Sequence, residues 1–312
     1  MPEPIRIHEV SPRDGFQSLP FSLHVAERAR FVRALVDAGV RDIELTSFVN
    51  PRLLPQHEDA EALCEELEPL RGTATFTAFT PNARGVRRAL GQDLIGRVAF
   101  AIGVSDEMTH HNIGMTIDET LADVAPALEE ARAAGVGTVA AISGAFGDPF
   151  TGRVGAGDVS ALVGRVLEFP VDTIEIADTI GTGTPQMVRE LGGRLIVDHP
   201  EREVVWHFHD TMGMGVANVM AAAALGFSQF DAAVGAIGGC PFAPGGAGNV
   251  ATEEILYALA DSFELDAPVD LSAIAALGAR VRDWAGSRSM SKIALVESQS
   301  WARPFLANTV RV

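Results

Sequence analysis

Short apolar runs, each ending on polar or glycine residues and each followed by a helical pattern, recur along this chain at intervals of roughly 25 to 40 residues. The runs predict strands over 5–10, 42–46, 73–79, 97–102, 138–142, 173–177, 204–209 and 230–234. Between them, apolar positions at helical spacing predict helices over 23–38, 56–67, 83–90, 116–134, 158–168, 185–195 and 216–225, and a further one over 270–285. The polar 105–112 stretch carries no such period, and neither do the residues after Ser298. Strand–helix repetition of this kind over about 250 residues is the rhythm of an α/β (β/α)8 TIM barrel. The expectation is therefore a single TIM-barrel domain over 1–312, with about 265–312 a C-terminal helical extension packed on the barrel. A doubly wound open sheet competes with this reading. It requires a glycine-rich phosphate turn after the first strand, and Ser11-Pro12-Arg13-Asp14-Gly15 is not that turn.

Polar residues gather at the ends of the predicted strands: Arg13, Asp14, Glu44, Asn82, Asp178, His207 and His209. In a barrel these ends share the carboxyl face, where such enzymes keep their active sites. The most telling run is Val204-Val205-Trp206-His207-Phe208-His209-Asp210-Thr211. Strand alternation sends His207 and His209 to one face and Phe208 to the other, which is the geometry of a metal site. Some thirty residues on, Gly238-Gly239-Cys240-Pro241 opens a glycine-rich segment that ends at Gly248-Asn249. Glycines in such number cost backbone entropy that a simple turn does not require. They suggest a lid that brings Cys240 over a bound substrate and sets Asn249 beside the histidines.

Hydrophobic residues make up 47% of the 312, enough for a large core, and no apolar run is long enough to span a bilayer. The N-terminal Met1-Pro2-Glu3-Pro4 does not open a signal peptide, and the two cysteines, Cys64 and Cys240, form no disulfide framework. Both features set the expectation of a cytoplasmic protein. Cys64 falls within the predicted 56–67 helix and reads as core. A net charge of -17 speaks against nucleic acid and anionic membranes as partners. An anionic substrate would then need local positive charge, which a divalent metal and an arginine can supply.

Together, Arg13-Asp14-Gly15, Glu44 with Thr46-Ser47-Phe48, Asp178-Thr179-Ile180-Gly181 with Pro185, His207-Phe208-His209-Asp210-Thr211, and Gly238-Gly239-Cys240-Pro241 through Gly248-Asn249 resemble the 3-hydroxy-3-methylglutaryl-CoA lyase family. The resemblance runs over about residues 5–295, and the Gly-Gly-Cys-Pro loop is its most specific part. It implies a barrel lyase that needs Mg²⁺ or Mn²⁺, with Asp14, His207, His209 and Asn249 as the metal ligands. One carboxylate, one amide oxygen and two imidazoles suit such an ion, whereas a closed structural zinc site would want thiolates. It implies an acyl-CoA substrate cleaved to acetyl-CoA and a keto acid such as acetoacetate. Arg13 would meet the thioester oxygen where enolate charge develops, and Cys240 would serve as the catalytic thiol. Glu44 would orient Arg13 or a metal-bound water, and Asp178 would position a histidine or a water. Asn112 and Thr211 would join Arg13 in binding substrate. A homo-oligomer is compatible with this reading.

The chain also departs from the family's usual pattern. It reads Ser18-Leu19-Pro20 where an acidic residue and a lysine are usual, and His110-His111-Asn112 where lysines precede the asparagine. It has Ser143-Gly144-Ala145-Phe146-Gly147-Asp148-Pro149 in place of a cysteine-bearing loop, and Met212 in place of a tyrosine. These departures fall on the shell that selects the acyl group and holds coenzyme A. Two alternatives stand beside the lyase: a condensing enzyme or aldolase of the same barrel group, and a barrel that binds acyl-CoA without turnover.

Overall fold

A computed structural model of the chain describes residues 3–239, 242, 245–286, 291–306 and 309–310. Eight parallel strands close into a barrel: β1 (Arg6–Glu9), β2 (Asp42–Ser47), β3 (Thr75–Phe79), β4 (Ile95–Gly103), β5 (Gly137–Ser143), β6 (Thr173–Asp178), β7 (Glu203–Phe208) and β8 (Gln229–Ala232). Closure runs through β1 and β8, where Arg6 to Glu9 pair with Gln229 to Ala232. The TIM-barrel expectation holds, and the open-sheet alternative falls with that closure.

Alternation along the strands decides what faces the barrel axis and what faces the helices. On β4, Phe100 and Ile102 point outward into the helical layer while Ala101 points inward. Ile142 on β5 and Ile174 and Ile176 on β6 likewise face outward, and all five bulky side chains are buried in one continuous core. Helix starts follow the capping chemistry of the sequence. Thr116 and Glu119 form a reciprocal capping box for Ile117–Ala133, and Thr184 caps Pro185–Asp198 with proline in its first turn.

Two helices of the barrel go beyond the expected set, besides the short Lys292–Val296 and Arg303–Leu306 in the C-terminal extension. The polar stretch after β4 forms a helix, Asp106–Ile113, with Ser105 accepting from the Met108 amide and Gly114 stopping it at a φ of 79°. Its signals were terminal rather than periodic: a Ser cap, acids in the first turn, and glycine at the end. Thr252–Leu259 supplies the helix that follows β8. The helix expected over 56–67 is regular only as Ala60–Leu67, because Pro55–His57 forms a tighter turn first. Cys64 lies in it, buried, with burial pushing its thiol pKa up to about 12.

Leu271–Ala285 packs on the turn after β8, and its Leu271, Ile274 and Val281 belong to the same core as the barrel. Trp284 meets Phe16 and Phe31 at ring distances of 5.8 and 5.9 Å, which fastens this helix to the loop after β1. Val269–Asp270 pairs with Thr309–Val310 near the end of the chain. No helix among the described residues is long and apolar enough to cross a membrane.

Candidate active site

The carboxyl end of the barrel is where the polar side chains converge. After β1 the chain winds into one π-helical turn, Ser11–Gly15, which carries Arg13 and Asp14 to the barrel mouth. Gly15 is required there by close approach, since a Cβ would fall 2.5 Å from the Ile237 side chain. Beneath the turn, the buried Glu9 carboxylate accepts from the Ser11 amide at 3.0 Å, the Val234 amide at 3.1 Å and the Thr252 hydroxyl at 2.5 Å. The loops after β1 and β8 are thereby tied to one acid.

Asp14 is almost fully buried. One of its oxygens accepts from Arg13 Nη1 at 3.0 Å and Gln17 Nε2 at 2.7 Å, and the other accepts from Asn249 Nδ2 at 2.7 Å. Burial works against its ionisation, but Arg13, His207 and His209 hold its pKa below the ordinary carboxylate value. His207 and His209 share a face of the β7 end, with ring centroids 5.1 Å apart. Asp14, His207 and His209 each bring one ligand atom within 4.8 Å of the others.

Asn249 reaches the cluster on the far leg of the glycine-rich loop, which pairs with the end of β7 through Asp210 N to Gly248 O and Val250 N to Phe208 O. Its amide nitrogen donates to Asp14 and to the Ile237 carbonyl at 3.1 Å, so its oxygen is the atom left for another partner. Two of the loop's glycines serve this packing. A Cβ on Gly238 would fall 2.5 Å from Asn249 Nδ2, and one on Gly248 would fall 2.6 Å from the Gly238 backbone. The expected lid role of the loop centres on Cys240, which lies outside the described residues.

His207 is held from behind. Its Nδ1 lies 2.8 Å from Asp231, whose other oxygen lies 2.8 Å from His8 Nδ1. Burial alone would lower the His207 pKa, but Asp231, Glu175 and Asp14 push it up to about 10. Burial and the neighbouring His207 push His209 down to about 4. With Nδ1 engaged by Asp231, His207 has Nε2 left to face the cluster. A histidine backed by a carboxylate in this way is the usual arrangement of a metal ligand. An anionic carboxylate, an amide oxygen and two such imidazoles fit a divalent cation of the Mg²⁺ or Mn²⁺ type.

Arg13 lies beside this cluster. Its Nε is 2.8 Å from Glu44 Oε2, and its guanidinium carbon is 4.3 Å from the centre of the Phe79 ring. Burial raises the Glu44 pKa against the opposing pull of Arg13. Arg13, Asp14, His207 and His209 line a cavity of about 420 Å³, whose wall also includes Phe79, Glu175 and, at the mouth, Asn112. Burial, and after it the Asp231 charge, pushes the Glu175 pKa up to about 8.

The remaining expected residues stand off the cavity. Asp178 turns to the outer face of β6, and its oxygens accept from the Thr182 and Gly183 amides, each at 2.9 Å. The geometry thus makes it a turn-holding residue rather than one poised over a histidine or a water. Thr211 donates its hydroxyl to the Ala247 carbonyl at 3.2 Å, tying the β7 end to the glycine loop instead of facing a substrate. Glu175, Asp231, His8 and Gln17 reach the site although sequence reasoning missed them. Alternation within Thr173–Asp178 carried the signal for Glu175, since it shares a face with Ala177 and opposes Asp178.

A closed parallel barrel with an acid–imidazole cluster and a half-buried arginine at its carboxyl end is the build of a barrel enzyme of the divalent-metal class. The HMGL-like family model matches residues 4–281, and the chain belongs to that family. It is 35% identical to the hydroxymethylglutaryl-CoA lyase of Pseudomonas mevalonii, over 96% of this chain and 98% of that protein. It is 36% identical to the (R)-citramalyl-CoA lyase of Chloroflexus aurantiacus, over 90% of each. The crystal structure of the Bacillus subtilis HMG-CoA lyase superposes with a TM-score of 0.88 at 30% identity, covering 96% of this chain and all of that one.

Proposed function

We propose that this protein is a carbon–carbon lyase that cleaves 3-hydroxy-3-methylglutaryl-CoA, or a close 3-hydroxy-dicarboxyl-CoA, to acetyl-CoA and a keto acid. The observation that carries the reading is the placement of Arg13 against the Asp14–His207–His209 cluster within one cavity. Asp14, His207, His209 and the Asn249 oxygen would hold Mg²⁺ or Mn²⁺. Such an ion, when bound, acts as a Lewis acid that lowers the pKa of the substrate hydroxyl.

The chain's own residues supply the rest. In the cleavage the hydroxyl loses its proton, the bond between C2 and C3 breaks, and its electron pair passes to C2 and the thioester oxygen as an enolate. Arg13 would meet that oxygen. Its planar fork is held by Glu44 and Asp14 and backed by Phe79, so it does not reorganise as charge develops. Asp231 fixes the His207 ring, and Gln17 shares in orienting Asp14. The proton for C2 is assigned to Cys240, the thiol of the Gly-Gly-Cys-Pro segment. Asn112, which lines the same cavity, would contact the coenzyme A arm.

The test is acetyl-CoA release from a panel of 3-hydroxyacyl-CoA thioesters, with citramalyl-CoA included, in Mg²⁺ and in Mn²⁺. Arg13→Lys keeps the charge but loses the fork, and should lower kcat by about 100-fold with a smaller effect on KM. Near-normal kcat in that variant would remove Arg13 from the chemistry. Acetyl-CoA consumption with a 2-oxo acid, and no cleavage of any thioester, would favour a condensing enzyme instead.

A further inference from the structure

We infer that Glu175 sets the specificity of this site, and that the site accepts 3-hydroxyacyl-CoA thioesters whose branch at the third carbon ends in a hydroxyl. The inference rests on the lyase reading and names a substrate class for it. Among the described residues, two carboxyl side chains line the cavity, Asp14 and Glu175. Asp14 is well partnered, accepting from Arg13, Gln17 and Asn249. Glu175 accepts a hydrogen bond from none of the described residues. Its Oε1 lies 3.9 Å from His207 Nδ1, beyond hydrogen-bond reach, and that nitrogen is already held by Asp231 at 2.8 Å.

Strand register explains this isolation. Glu175 pairs with Ala141 on β5 and Val205 on β7, and Ala101 on β4 continues the row beyond Ala141. Alternation makes Ala177 the next inward residue on Glu175's own strand. These neighbours are all aliphatic, so none can donate to a carboxyl. Yet 15% of the Glu175 side chain stays exposed, and the cavity it lines is its open side. The row lies one step below the Ala177–His207 pair, so it floors the cavity under the metal cluster. That floor carries one unpaired carboxyl between aliphatic side chains. Buried polar groups are almost always hydrogen-bonded, and leaving one unpaired is costly.

The chemistry of a carboxyl selects its partner. An ionised carboxylate only accepts, whereas a protonated one also donates from one oxygen. A hydroxyl satisfies either form. A further carboxylate on the substrate would repel the ionised form, and an alkyl group leaves both forms unpaired. The groups common to every 3-hydroxy-dicarboxyl-CoA are drawn to the basic side of the cavity. Arg13, His207 and His209 stand there and attract the hydroxyl, the distal carboxylate and the thioester oxygen. The fourth substituent of the tetrahedral third carbon is left to face the floor, so it is the one that carries the extra hydroxyl. The chemistry balances as for the methyl substrate. The C2–C3 bond breaks, C2 keeps the pair and takes a proton, and the C3 hydroxyl oxygen loses its proton to become the ketone. The branch hydroxyl is unchanged. The products are acetyl-CoA and a 3-oxo acid bearing it, and no co-reactant is consumed.

The experiment compares the 3-(2-hydroxyethyl) and 3-propyl members of the 3-hydroxyglutaryl-CoA series with the full-length metal-loaded protein. The two branches match in size and differ by a hydroxyl in place of a methyl. Acetyl-CoA is read rather than free CoA, because ring closure of the branch hydroxyl on the thioester releases CoA alone. The hydroxyethyl thioester should exceed the propyl one in kcat/KM by about ten-fold or more, the scale of pairing a buried polar group. Glu175→Gln keeps an acceptor and should keep that preference. Glu175→Leu removes the acceptor and should cut the hydroxyethyl-to-propyl ratio by about ten-fold or more. Calorimetry with the free 3-(2-hydroxyethyl)- and 3-propyl-3-hydroxyglutarates gives a readout independent of turnover, and the hydroxyethyl acid should bind more tightly. If no thioester is cleaved, the lyase reading fails and the calorimetric preference still decides the role of Glu175. If thioesters are cleaved but the propyl one matches or exceeds the hydroxyethyl one, or the ratio is unchanged in Glu175→Leu, the assignment to Glu175 alone is overturned. Should Glu175→Leu fail to fold, Glu175→Ala and the wild-type ratio decide.

Discussion

His57 Nε2 donates to the main-chain carbonyl of Arg13 across 3.1 Å. Its Nδ1 faces the buried Arg28 guanidinium at 3.0 Å, and a guanidinium only donates, so Nδ1 accepts and the proton sits on Nε2. Burial, with Arg28 and Arg13 close by, keeps this ring well below the ordinary histidine pKa and therefore neutral. His57 thus braces the π-helical turn that presents Arg13. His57→Ala should lower kcat by about 10-fold or more, the scale of a small misplacement of a charge-stabilising group, with KM and metal affinity little changed. His57→Gln, whose amide can donate and accept at the same two places, should recover most of the loss. Equal kcat in all three proteins would reduce the contact to packing.

Asp231 stands between His8 and His207 and touches neither the cavity nor a substrate. Asp231→Asn should weaken divalent-metal binding about 10- to 100-fold, the usual cost of losing a carboxylate behind a histidine ligand. Titration calorimetry reads the effect without turnover. His209→Ala and Asp14→Ala should weaken binding further while the barrel stays folded by circular dichroism. Unchanged affinity in all three would displace the metal from this cluster.

Glu253 is buried under the turn after β8, and both its oxygens accept from the Gly235 amide at 3.2 Å. Burial pushes its pKa up to about 7 against the hydrogen bonds that oppose the shift. The folded state therefore binds this proton more strongly than the unfolded chain, whose ordinary value is 4.5. That contribution is full below about pH 4.5 and is lost as pH rises through about 7. Glu253→Gln should flatten the fall in urea midpoint between about pH 5 and 8 relative to the wild type. An unchanged slope would show that Glu253 titrates normally.

Cys64 is buried and its thiol is pushed up to about 12, so it should resist alkylation at neutral pH in the folded protein. Any rapid inactivation by iodoacetamide would then report on Cys240. Cys240→Ser should lose nearly all turnover yet keep metal and acyl-CoA binding, and a substrate analogue with Mg²⁺ should protect the wild type. Mass spectrometry of the two cysteine peptides separates the cases. Faster labelling of Cys64 than of Cys240 would end the thiol's assigned role.

Much of the architecture was legible because its signals are local. Alternation on β7 placed His207 and His209 together, and punctuation by glycine, proline and capping residues located the eight strands. The same rule applied to β6 would have brought Glu175 in and turned Asp178 out. The signal there lies inside the strand, whereas the polar residues that announce a barrel site lie at strand ends. Asp106–Ile113 was missed for the opposite reason. Its apolar period is weak, and only its caps declare it.

By itself the sequence determined the repeating unit and, through the two-residue period of a strand, the inward pair of histidines. Only the tertiary structure decided what those groups meet. Asn249 and Asp14 are 235 residues apart, yet they share a 2.7 Å hydrogen bond. Asp231 bridges His8 and His207 only because β8 pairs with both β1 and β7. Barrel closure fixes these neighbours through register and shear, quantities summed over all eight strands that no local stretch of the chain encodes.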